Sequence, residues 1–490
     1  MIRFVVVALA LLITMSGSCL DSENEACDEQ LCECGHALCE HSHELHGFTD
    51  VLQESHEAFR TQGSGLTNTA SGTSGIGRPV ELTWSIVPNG TILPRGLGEP
   101  ASPSNLISFL DSLHHGGASP GGSDLTQRGW FDLFESSFER WDELSGIDFN
   151  YESNDDGASL SSINRGILGR RGDHRISGHS IDGQISPTFL AYNFFPNHAD
   201  MVIDTDEVNR WGNPEDNFIR FRNMLMHEVG HGLGLNHVTS GNADFLMEPF
   251  LATQFDGPQL DDILGIHRLY GDANEAGAGN EDYLNATSFG RFWPGQSRKM
   301  GSDANDTVVD FSEVDFLSID DDSDVDFFRF TMLAPGFIDL DLTPLGPSYL
   351  EGRQGGTQSL FDTAAMSDLS LSLWDRDGTS LLDLANENGL GGPEQLDSVF
   401  LFEPGDYYVS VAGAQNAAQF YELGIDVDLP IPTNSFNFFN IVEEFARRAG
   451  FGRFGGGPLP NIFSIPEPTT GLMMAACCSF FSVRRRRAES

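Results

Sequence analysis

The sequence predicts an α+β domain followed by an all-β sandwich, and three patterns carry that expectation. Val80-Glu81-Leu82-Thr83-Trp84-Ser85-Ile86 alternates apolar and polar residues, the period of a strand. Trp130, Phe131, Phe134, Phe138, Trp141 and Leu144 recur at helical spacing and give an amphipathic helix with an aromatic core face. Beyond residue 286 the helical periods give way to short alternating segments between turn signals: 326–332, 337–342, 369–374, 399–402, 407–411 and 421–427.

A chain of 490 residues is too long for one ordinary core, so two or three domains are expected. The boundaries read as follows: signal peptide 1–18, Cys/His-rich region and linker 19–78, α+β domain 79–272, linker 273–285, β-sandwich 286–429, tether 430–463 and C-terminal signal 464–490. With 72 acidic against 27 basic residues the net charge is −45, which disfavours nucleic acid and is repelled by anionic lipid. Arg3, the apolar run from Phe4 to Ile13 and Ser16-Gly17-Ser18 form the pattern of a cleaved secretory signal.

After that signal, Cys27, Cys32, Cys34 and Cys39 lie among His36, His41, His43 and His46. In an exported protein these cysteines suit two disulfides, in any of three pairings, with a metal knot as the other reading from the residues alone. Gly63 to Gly77 is Gly/Ser/Thr-rich and reads as a linker and a site for propeptide cleavage. The aromatic helix is followed by a strand, Ile147 to Tyr151, and a second long helix is expected from about Asn217 to Gly234.

That second helix carries the chemistry. His227-Glu228-Val229-Gly230-His231-Gly232-Leu233-Gly234-Leu235-Asn236-His237 reads H-E-x-x-H-x-x-G-x-x-H. Residues four apart share a helix face, so the imidazoles of His227 and His231 reach one metal while Glu228 projects beside them. Gly234 lets the chain turn out of the helix and bring in His237. Three histidines leave one tetrahedral position open, which is the arrangement of a catalytic zinc.

At these residues the sequence resembles the metzincin metallopeptidases. Phe245-Leu246-Met247-Glu248-Pro249 looks like their Met-turn, with Met247 beneath the histidines, and its L-M-x-P form is similar to the matrixin branch. Leu260-Asp261-Asp262-Ile263 through Leu269-Tyr270-Gly271 resembles the matrixin terminal helix, where His267 is expected on the surface. The resemblance implies a twisted mixed sheet with long helices and a secreted zinc endopeptidase in which Glu228 is the catalytic base and acid. Its substrate would be a protein or peptide. The alternative is a non-catalytic exported surface or matrix-binding protein that retains the scaffold, and the intact Glu228 speaks against it.

Matrixins also carry a structural zinc, and the matching positions here are Arg171, Asp173, Tyr192 and Val202. Three of those four ligands are replaced, so no zinc is expected there; His174 and His179 nearby read as solvated loop residues in preference to ligands of a site in another geometry. Asp182, Asp204 and Glu207 match the family's calcium positions, and hard carboxylate oxygens suit Ca²⁺. Leu190, Ala191 and Tyr192 correspond to the unpaired edge strand on which an extended substrate is read by backbone hydrogen bonds. Cys34-Gly35 echoes the family's latency switch without its flanking residues.

Two further resemblances concern the C-terminal half. Asp324 to Phe330 and Glu403 to Val411 look like the prepeptidase C-terminal domain of secreted peptidases, and the acidic run 320–326 reads as a solvated loop in preference to a calcium site. Pro466-Glu467-Pro468, the apolar run Thr470 to Val483 and Arg484 to Arg487 resemble the PEP-CTERM sorting signal of Gram-negative bacteria. Together they imply export to the cell surface or extracellular matrix, sorting machinery as a partner and transient association with the membrane.

Overall fold

The computed structural model describes residues 31–34, 59–114, 122–160, 165–183, 189–196 and 198–428. The expectations for the signal peptide, for most of the Cys/His-rich patch and for residues 429–490 lie outside these. Among the described residues no helix is long and apolar enough to cross a membrane.

The first half is built on a six-stranded sheet ordered β1-β7-β8-β6-β2-β5. Its strands are β1 (Leu31–Cys34), β2 (Val80–Ile86), β5 (Ile147–Tyr151), β6 (His174–His179), β7 (Ala191–Phe194) and β8 (Met201–Asp204), with a short pair, β3 (Ile92–Leu93) and β4 (Ser102–Pro103), beside it. β2 runs parallel to β5 and β6, and β6 to β8; β7 is antiparallel to β8. The helices are α1 (Leu106–Leu113), α2 (Phe131–Glu143), the single turn α3 (Val208–Trp211), α4 (Ile219–Leu233) and α5 (Leu260–Tyr270), and β9 (Val238–Ser240) follows α4.

α2 lies against the sheet through the aromatic face that its spacing predicts. Trp84 on β2 stacks on Phe138 at 4.7 Å and on Phe131 at 5.5 Å, and Trp141 Nε1 donates to the Met226 carbonyl of α4. Trp130, Phe131, Phe134, Phe138 and Trp141 are all buried, each contributing about 1.5–3 kcal/mol of transfer free energy. β2 departs from simple alternation because it is central: Thr83 and Ser85, polar and expected outward, are buried and bond to Asp173 and Asp155.

Gly63 to Gly77, expected as a linker, instead packs on the domain. Phe59 and Leu66 are in the core, Leu66 N donates to Tyr270 Oη at 2.7 Å, and Gln62 N donates to the Gly234 carbonyl at 2.7 Å. Small residues here serve close approach: a Cβ on Gly65 would meet the Tyr270 hydroxyl at 2.5 Å.

The second half is a sandwich of two five-stranded sheets. The strands are β10 (Thr287–Phe292), β11 (Gln296–Met300), β12 (Leu317–Ile319), β13 (Val325–Met332), β14 (Gly336–Pro344), β15 (Ser348–Arg353), β16 (Ser359–Asp362), β17 (Leu369–Trp374), β18 (Leu381–Ala385), β19 (Glu394–Leu401), β20 (Gly405–Gly413) and β21 (Gln419–Asp428). One sheet is ordered β10-β13-β20-β17-β18 and the other β11-β21-β14-β19, with β12 also paired to β21 as its fifth strand. Alternate residues of β13, β14 and β17 point into a core of Phe328, Phe330, Ile338, Leu340, Leu371 and Leu373. β15 and β16 leave the sandwich as a hairpin, and β15 pairs with β9 of the first half.

Candidate active site

α4 ends at Leu233, and Gly234 turns the chain with a φ of 112°, a region that disfavours side chains. Helical spacing puts His227 and His231 on one face, and the turn returns His237 to it. The Nε2 atoms of the three rings lie 3.0, 3.2 and 3.1 Å apart. Each Nδ1 has an acceptor: His227 donates to the Leu246 carbonyl at 2.6 Å, His231 to the Leu235 carbonyl at 2.7 Å and His237 to Gln354 Oε1 at 2.7 Å. With the proton on Nδ1, all three Nε2 lone pairs converge on one point, a repulsive arrangement unless a cation lies between them.

Burial favours the neutral, ligating form of these rings. It holds His227 down at about 3 and His237 at about 4, and it lowers His231 well below the ordinary range. Glu228, the neighbour of the first histidine, is completely buried. Met247 lies beneath the helix, where a Cβ on Gly230 would come 2.6 Å from its sulfur. Asp262 holds the Met-turn in place by accepting from the backbone N–H of Leu246 at 2.7 Å and of Met247 at 3.0 Å. Nothing in the local pattern of Asp262 marks this role beyond its place in the D-D-I start of α5.

Several expectations are corrected. The strand at 191–194 is not an unpaired edge: β1 pairs with it antiparallel, Cys34 opposite Ala191 and Glu33 opposite Tyr192. Leu190, Ala191 and Tyr192 are themselves buried, and the Tyr192 hydroxyl donates to Glu99 Oε1 at 2.9 Å. His174 and His179 are on β6 and buried, not in a solvated loop. His174 lies between the rings of Phe149 at 5.4 Å and Phe138 at 5.9 Å, and burial holds it down at about 3. His267 is buried as well; its ring bonds the Leu144 carbonyl at 2.6 Å and Ser318 Oγ at 2.8 Å.

Where the resemblance would place a second zinc, the residues serve the fold. Asp173 accepts from Thr83 N and Oγ1 and from Ala70 N, Tyr192 is engaged by Glu99, and Val202 is in a small apolar cluster. Of the calcium candidates, Asp204 and Glu207 are buried while Asp182 is exposed. Burial raises Asp204 to about 6, with Asp206 and Asp182 adding to the effect.

A second group of potential ligands lies in segments expected as a linker and a solvated acidic loop. Oxygens of Glu275, Asp324 and Asp326 fall within 4.8 Å of one another, and all three side chains are buried, as is Asp320. Hard carboxylates in this arrangement suit a divalent cation. The acidic residues turn inward because the linker packs on β13, with Phe327 N donating to the Asn280 carbonyl at 2.8 Å.

Comparison with known proteins gives this region its class. Residues 119–271 match the model of the matrixin family of peptidases. The hatching enzyme of Paracentrotus lividus is 32% identical over 157 residues, 32% of this chain and 25% of that protein. Matrix metalloproteinase-B of Caenorhabditis elegans is 29% identical over 257 residues, 46% of this chain and 41% of that protein. Metalloendoproteinase 2-MMP of Arabidopsis thaliana is 30% identical over 147 residues, 28% of this chain and 36% of that one. The matches therefore span between 25% and 41% of these relatives. The pre-peptidase C-terminal domain of Bacillus anthracis collagenase is 16% identical, covering 29% of this chain and 94% of that one, with a TM-score of 0.17 that carries no argument about the fold. Residues 119–271 are thus similar to the matrixins, the class to which their family match points.

Proposed function

We propose that the protein is a secreted zinc-dependent endopeptidase. The observation that carries this reading is the convergence of the three Nε2 atoms beside the buried Glu228, inside a matrixin-like domain. His227, His231 and His237 would hold Zn²⁺, which when bound acidifies a water and polarises the scissile carbonyl. Glu228 takes the proton from the attacking water on its carboxylate and delivers it to the leaving amine, as general base and then general acid. Met247 supports the histidines from below and is not a ligand. Asp182, Asp204 and Glu207 form the candidate Ca²⁺ position.

Export by the N-terminal signal, sorting by the C-terminal one and a surface or matrix destination belong to the same proposal. The pairing of β1 with β7 supports a latent form, in which the N-terminal region covers the strand that an extended substrate would join. The test is cleavage of a generic protein substrate by the full chain and by a form lacking the first ~75 residues, with and without a chelator. Chelator-sensitive cleavage supports the reading. No cleavage by either form would favour the non-catalytic alternative.

A further inference from the structure

His227 and His231 are held by a helix, but His237 lies beyond Gly234 and needs other support. Two of the three Nδ1 acceptors are carbonyls of the matrixin-like domain itself, Leu246 and Leu235. The third is a side chain 117 residues further along the chain, Gln354, in the turn of the β15–β16 hairpin. Resting on the zinc reading above, we propose that Gln354 is a positioning residue for His237, and that the sandwich thereby completes the metal centre.

The hairpin is docked on both sides of that contact. β15 adds antiparallel to β9, the strand that begins at the residue after His237, with Arg353 opposite Val238 and Glu351 opposite Ser240. Among the described residues β15 is the strand partner of β9. Gln358 Nε2 donates to the Ser240 carbonyl at 2.8 Å, and the Tyr349 hydroxyl donates to Asp261 Oδ1 at 2.7 Å on α5. The Tyr349 ring meets Phe245 of the Met-turn edge-on at 5.0 Å. Arg60, from the segment that precedes the catalytic domain, pairs with Glu351 at 3.2 Å.

These contacts decide the tautomer and the tilt of His237. An acceptor at Nδ1 keeps the proton there and leaves the Nε2 lone pair for the metal, and it removes the ring's freedom to rotate. Gln354 presents an amide oxygen, which accepts whatever the protonation of its surroundings. Its place on a paired hairpin makes it part of the scaffold of the site.

The experiment compares Gln354→Leu and Gln354→Glu with the wild type, all as the full chain. Zn²⁺ affinity is measured by competition with a chromogenic chelator, and the visible spectrum of the Co²⁺-substituted proteins is recorded. Gln354→Leu should weaken Zn²⁺ binding about tenfold and perturb the Co²⁺ spectrum, while Gln354→Glu, which keeps an acceptor, should stay within about threefold of wild type. Both metal-free variants should melt with the metal-free wild type. Wild-type affinity in Gln354→Leu overturns the inference, and so does an equal loss in Gln354→Glu. A wild-type protein that takes up no Zn²⁺ overturns the reading of the site and this inference together. If it takes up Zn²⁺ but cleaves nothing, only the peptidase reading falls, and the variants still decide the role of Gln354.

Discussion

Arg175 and Asp155 form a two-point ion pair in the interior, with Nε 2.9 Å from Oδ2 and Nη2 2.7 Å from Oδ1, and neither side chain is more than 1% exposed. The pair ties β6 to the loop after β5, in the region where the resemblance would place a structural metal. Asp155→Ala should therefore destabilise the protein by about 3–5 kcal/mol, because it takes the two-point hydrogen-bonded partner from a buried guanidinium. Urea unfolding measures it; a loss below about 1 kcal/mol, the range of exposed pairs, would show that water reaches Arg175.

Glu228→Ala should retain Zn²⁺ and lose cleavage by a factor of about 10²–10⁴, the contribution of a positioned acid–base group. Metal content by atomic absorption and turnover of a peptide substrate separate the two effects. Full turnover in the variant would remove Glu228 from the mechanism.

His174 gives a pH dependence with a definite sign. Burial among aromatic rings lowers it from 6.5 to about 3, so folding keeps the neutral ring. Its contribution is fully present above pH 6.5 and is lost as pH falls from there towards 3. His174→Leu should show a shallower loss of stability over that window than the wild type, as read by thermal melts at a series of pH values. Parallel curves would mean that His174 is not the group that titrates.

The acidic cluster between the linker and β13 has the opposite sign. Burial, reinforced by neighbouring carboxylates, raises Asp324 to about 7 and Asp320 to about 8, and raises Glu275 and Asp326 well above their usual range. Groups whose folded pKa is raised stabilise below their unfolded pKa and lose that contribution as pH climbs through the folded value. Chelator-treated protein should therefore become less stable from about pH 4 to about pH 8. Asp326→Asn, which can still accept from the Tyr421 hydroxyl, should flatten the decline. An unchanged slope in that variant would mean that these carboxylates stay ionised throughout.

Much of the fold was legible because its signals are local. Period-two alternation placed the strands at 80–86 and 369–374, helical spacing of aromatics placed α2, and the glycine at 234 marked the end of α4. What was missed follows from long-range packing. Gly63 to Gly77 and the 273–285 segment have the composition of linkers, but composition does not record that Tyr270 or β13 waits to receive them. His174, His179 and His267 were expected in water, since a polar residue with no visible partner is usually solvated; their partners are distant rings, hydroxyls and carbonyls.

The sequence by itself determined the ligand set and its order, because the pitch of a helix and the freedom of one glycine suffice to bring His227, His231 and His237 together beside Glu228. Only the tertiary structure decided what holds the third ring, what covers the edge strand and where the surplus carboxylates go. Gln354 bonds His237 from 117 residues away, and β1 reaches β7 from the far N-terminal side. Contacts of that kind depend on chain reversals and sheet pairing that no local period encodes.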